Sequence, residues 1–128
     1  MTLAGIFLFA VPCIASAQST LHTPDKGSPE RKAILDAVRT YRKAPSEVYT
    51  PTGFNVSGVW AYVAAPDPGD PDVDTAAFEV ILKKTGSTWK VVDRISHVEG
   101  TSYKKETLRI RKRFPAMPSA ILPTFQGD

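Results

Sequence analysis

A chain of 128 residues has room for one domain core. With 42% hydrophobic and 23% charged residues it has the balance of a globular protein, which excludes disorder throughout and a polytopic membrane protein. A formal charge of +3 is too weak by itself to name a nucleic-acid partner, and 11 prolines point to much loop and turn.

Residues 3–17 carry no charge. Residues 3–11 are apolar enough for the core of a secretory signal, and Pro12 breaks the run. Ala15-Ser16-Ala17 then supplies the small side chains that a signal peptidase pocket accepts, just before Gln18. The pattern predicts a signal peptide over 1–17, cleavage near Ala17-Gln18, and a periplasmic or secreted location. No Lys or Arg precedes the apolar run, and a buried N-terminal helix is the competing reading. The run is shorter than the ~20 residues needed to span a bilayer, so no transmembrane anchor is expected in the mature chain. Ala10-Val11-Pro12 is a poor lipobox, so Cys13, the sole cysteine, is read as part of the signal. The exported chain must then rely on its core rather than on disulfides, which suits the periplasm.

Residues 18–27 are polar and aperiodic, and read as a flexible leader to a single domain over 28–125. Ser28-Pro29-Glu30 is a helix start: Ser accepts from orphan N–H groups, Pro suits the first position, and Glu faces the positive end of the helix dipole. Ala33, Ile34, Ala37, Val38 and Tyr41 recur at helical spacing with Leu35 on the flank, and Pro45 stops the helix near Lys43. A β run over 54–65 follows a connector rich in breakers. Read as one strand, it puts Phe54, Val56, Trp60, Tyr62 and Ala64 on one face and Val59, Ala61 and Val63 on the other. Gly58 would mark a bulge or close packing. Residues 66–74, rich in Pro, Gly and Asp, form a long acidic hairpin loop. A second strand over about 76–84 and a third over 89–95 are joined by a tight turn at Thr85-Gly86-Ser87. In residues 102–114, Tyr103, Thr107, Ile110 and Phe114 favour a helix capped by Thr101 or Ser102 and stopped by Pro115. Leu108, Ile110 and Phe114 also permit a strand. The expected class is α+β: an N-terminal helix covering one face of an antiparallel three-stranded, or four-stranded, meander, then a basic C-terminal segment.

Three groups of side chains are candidates for a site. Asp67, Asp70, Asp72 and Asp74 lie in the acidic loop. Asp70, Asp72 and Asp74 alternate as the first ligands of a calcium loop do, but Thr75 and Ile81 stand where such a loop needs Gly and Glu. A solvated hairpin loop explains them better. Lys104, Lys105, Arg109, Arg111, Lys112 and Arg113 form the second group, opposed in that stretch by Glu106 alone. They suit an acidic protein or an anionic cell-envelope component, against the plainer reading of a solvated face. Export argues against nucleic acid. Trp60, Tyr62 and Asp93 form the third group, as the lining of a cavity between helix and sheet. Large aromatics more often fill a core, and Asp93 more often faces solvent or pairs with its neighbours Arg94 or Lys90 across the sheet. No nucleophile elbow, His-Glu-x-x-His pair, phosphate-binding glycine loop or paired metal motif occurs, so no cofactor, metal or catalytic residue is assigned.

The run Pro29-Glu30-Arg31-Lys32-Ala33-Ile34-Leu35-Asp36-Ala37-Val38-Arg39, the strand Val56-x-Gly58-x-Trp60-Ala61-Tyr62-Val63 and the later Trp89-Lys90-Val91-Val92 resemble a group of uncharacterised small exported bacterial proteins. The likeness covers about residues 28–95, with an echo in Arg113-Phe114-Pro115 and Pro118. It implies a layout similar to cystatin-like or nuclear-transport-factor-2-like α+β folds, with fewer helices than a full cone. It implies no activity and no catalytic residues. The expected role is a non-enzymatic binding module for a protein or envelope component. The alternatives are a small-ligand binder or acid/base enzyme, and an inhibitor or immunity-type protein acting through residues 66–74.

Overall fold

A computed structural model describes residues 20–68 and 78–123. The expected signal peptide and Asp70, Asp72 and Asp74 lie outside the described residues. Helix α1 spans Pro29–Arg42. Its Ser28 cap accepts from the Arg31 amide at 3.2 Å, and Lys43 ends it in the left-handed region at φ 56°. The helix buries Ile34, Leu35 and Val38. Ala33 and Tyr41, expected on the same stripe, are exposed, so the buried face is turned toward Leu35. Residues 20–27, read as leader, lie against the sheet: His22 and Val56 exchange backbone hydrogen bonds of 2.9 and 2.7 Å, and Pro24 is buried.

The fold is α+β. Four strands form an antiparallel meander in the order β1 (Gly53–Ser57), β2 (Trp60–Ala65), β3 (Phe78–Thr85) and β4 (Thr88–Arg94). The expected single strand over 54–65 is therefore two strands. Ser57 pairs with Trp60 across the two-residue turn Gly58-Val59, and Gly58 takes φ 60°. Glycine at the first of two turn positions is what a tight hairpin of this hand requires, and Gly86 (φ 61°) does the same between β3 and β4.

The turn changes the faces. Side chains directly opposite on paired strands share a face. Phe54 therefore goes with Val63, and Val56 with Ala61, toward α1. Trp60, Tyr62 and Ala64 point to the opposite side with Ile81. A register shift in β4 places Asp93, not Val92, opposite Ile81, so Trp89 and Val91 lie with the α1 core while Ile95 joins the other side.

That other side is covered too. Helix α2 (Tyr103–Arg113) and a 3-10 turn at Ser119–Ile121 bring Ile110, Phe114, Met117, Ile121 and Leu122 onto Trp60 and Tyr62. Ser102 caps α2 through the Lys105 amide, and the Asn55 amide holds the Ile121 carbonyl at 3.0 Å. The expectation of one covered face gives way to a sheet packed on both faces. This explains why all six residues of β2 are buried.

Candidate functional site

The basic segment folds into α2 and divides in two. Arg109 grips Asp93 with two bonds of 3.0 and 3.1 Å and reaches Glu106 at 2.7 Å. Arg113 adds a third bond to Asp93 at 2.8 Å, and Arg111 donates to the Ser119 carbonyl at 3.3 Å. These three arginines stitch α2 to the end of β4 and to the C-terminal turn. Lys104, Lys105 and Lys112 are exposed, and their ammonium groups make no hydrogen bond or ion pair among the described residues. Positions 104, 108 and 112 recur at four-residue spacing, so they form one stripe with Lys105 beside it. Its centre is Leu108, which is 55% exposed.

Asp93 is thus the hub of an ion network. Burial pushes its carboxyl up, but hydrogen bonds from Arg109, the Arg94 amide and Arg113 outweigh that and leave it below the usual range. Glu106 is held low first by Arg109 and then by the Ser96 amide. A carboxylate held ionised by two guanidiniums is a poor proton acceptor. Trp60 is buried against Phe114, their ring centres 5.4 Å apart, with the Lys83 ammonium 5.2 Å from its face. Tyr62 is buried beside it, and Asp67 is exposed at the start of the acidic loop.

Tyr62 leads to residues that sequence reasoning did not single out. Its hydroxyl donates to Glu79 Oε1 at 2.9 Å. Burial first, then Glu79 and Tyr103, raises the Tyr62 phenol far above its usual range, so it stays a donor. Glu79 is 6% exposed, and its Oε2 is buried without a hydrogen-bond partner among the described residues. The half-exposed His97 places Nε2 3.5 Å from that oxygen, within ion-pair range but outside hydrogen-bond geometry. Glu79 and His97 both line a cleft of about 310 Å³ with Tyr41, Phe78, Arg94 and Ser96. The Ser96 hydroxyl accepts from the Val98 amide within its own loop. One signal for Glu79 exists in the sequence: Ile81 sits in phase with it on the face where alternation predicts polar residues.

Among the described residues no group of three or more His, Cys, Asp or Glu side chains is placed to hold a metal, and no helix is long and apolar enough to cross a membrane. Comparison of the chain with family models, with curated proteins and with solved structures gives no match.

Proposed function

We propose that the chain is a non-enzymatic binding module whose α2 face meets an anionic partner, an acidic protein or a component of the cell envelope. One observation carries this reading. The cations of α2 are sorted: arginines turn inward to carboxylates and carbonyls, while lysines ring an exposed leucine outward. A face kept charged only for solubility has no need of an apolar centre. Lysines around Leu108 offer long-range attraction with a small desolvated contact at the middle.

The test is a salt titration of binding to two probes, anionic phospholipid vesicles and polyglutamate. Replacing Lys104, Lys105 and Lys112 together by Gln is expected to weaken binding about tenfold near 0.1 M salt and to flatten the salt dependence. Leu108→Ser is expected to weaken it with the salt slope unchanged. Binding that ignores the triple substitution would place the partner surface elsewhere.

A further inference from the structure

The two edges of the sheet end differently. The outer edge of β1 is closed where Val56 and His22 exchange backbone bonds. β4 forms the other edge, and no strand pairs with its outer side among the described residues. Bonded and non-bonded pairs alternate along an antiparallel ladder. Thr85 and Thr88 flank the two-residue turn and form a bonded pair, so Lys83 and Lys90 form the next. Trp89 and Val91 therefore turn their amides and carbonyls outward. Lys84, opposite Trp89, has the matching phase: its amide donates away from β4, to the Val59 carbonyl at 2.7 Å. Farther along, side chains close the edge. The Arg94 amide donates to Asp93 Oδ1 at 2.7 Å, and the Arg94 carbonyl accepts from Arg109 at 3.0 Å. The open stretch runs from Trp89 to Val91.

The two sides of that stretch differ in chemistry. On the α1 side, Trp89 and Val91 line a groove of about 340 Å³ with Ala37, Thr40 and Tyr41. Tyr41 is 46% exposed there. On the α2 side, Lys90 stands directly opposite Lys83. Both lysines are exposed, and neither has an ion pair among the described residues. Like charges directly opposite on a sheet are destabilising, and a carboxylate beside them relieves this. A second copy of this chain is a poor occupant. The register that bonds Trp89 of one copy to Val91 of the other sets their Lys90 side chains against each other. We propose that the open edge of β4 takes an extended segment of another protein as an added antiparallel strand, with an acidic residue between two apolar ones. The apolar residues exchange backbone bonds with Trp89 and Val91 and place their side chains in the groove. The acidic residue lies opposite Lys90 on the other side, with Lys83 next in line. Backbone bonds supply the affinity and alternate side chains the selectivity. This surface is separate from the lysine stripe of α2, and either can fail without the other.

The experiment is an amide chemical-shift titration of the ¹⁵N-labelled chain with an acetylated and amidated peptide, Thr-Val-Glu-Val-Thr. Saturable shifts at Trp89, Lys90 and Val91 are expected below about 5 mM, with slowed hydrogen exchange at the Trp89 and Val91 amides. Methylating the two valine nitrogens, which face β4, is expected to abolish binding. Methylating the glutamate nitrogen, which faces away, is expected to leave it within about threefold. Lys90→Glu should weaken this peptide about tenfold and strengthen binding of its Val-Lys-Val counterpart. That variant keeps the fold, because position 90 is exposed and its carboxylate lies opposite Lys83. The proposal is overturned by the absence of saturable shifts at these amides, by binding that survives valine methylation, or by an unchanged peptide preference in Lys90→Glu. In those cases Lys90 only guards the edge against self-pairing.

Discussion

Asp93 shows what a single side chain does in this fold. Its side chain is 7% exposed and receives three charged hydrogen bonds from α2. Asp93→Asn keeps the shape but removes the charge that Arg109 and Arg113 surround. Both arginines are about half exposed, so water replaces part of the loss. The expected cost is about 1–2 kcal/mol, read as a lower urea midpoint at unchanged slope. The partnership was out of reach of the sequence, because Asp93 and Arg109 are sixteen residues apart and the run around Arg109 reads as uniformly basic. Pairing of Asp93 with Lys90 or Arg94 was the local expectation. Glu79 escaped notice for a related reason. Strand alternation marks it as outward polar, and only the second covering layer makes that face an interior.

At the scale of elements, local chemistry was legible wherever one residue type forces a conformation. Ser28, Pro29 and Pro45 bound α1, and Gly86-Ser87 closes the β3–β4 hairpin. Gly58-Val59 has the same geometry and was hidden by its surroundings. Apolar residues continue on both sides, and Val59 favours strand. That one turn decides which aromatic enters which core. Gly58→Ala puts a Cβ into the left-handed region at φ 60° and is expected to lower stability by about 1 kcal/mol, with Gly58→Asn costing less. Lys43 gives the opposite case. It is a non-glycine residue at φ 56° where helices commonly place glycine, so Lys43→Gly is expected to raise the melting temperature by a few degrees, about 0.5–1 kcal/mol.

At the scale of the whole molecule, the described residues form one sheet between two unequal layers, and acid should separate them. The α1 layer is held by a continuous apolar cluster from Ile34 to Trp89. The α2 layer is apolar at Ile110 and the turn after it, but its approach to β4 is ionic, through Asp93 and Glu106. Both carboxyls sit below their ordinary range in the folded chain. A lowered folded value means the unfolded chain binds protons first as pH drops. Their contribution is therefore complete above about pH 5, beyond the ordinary carboxylate range, and is lost as pH falls through the lowered folded values. The two tryptophans report the layers separately, since Trp60 lies in the α2-side cluster and Trp89 in the α1-side cluster. Single-tryptophan variants, Trp89→Phe and Trp60→Phe, allow each to be followed alone. On acidification the Trp60 emission is expected to shift to the red at higher pH than the Trp89 emission, as the ion network opens before the sheet does. In an added Arg109→Met background the Trp60 transition should spread to higher pH and lose its steepness, because the group that lowers both carboxyls is gone. Coincident transitions for the two reporters would mean that the layers unfold as one cooperative unit despite their different bonding.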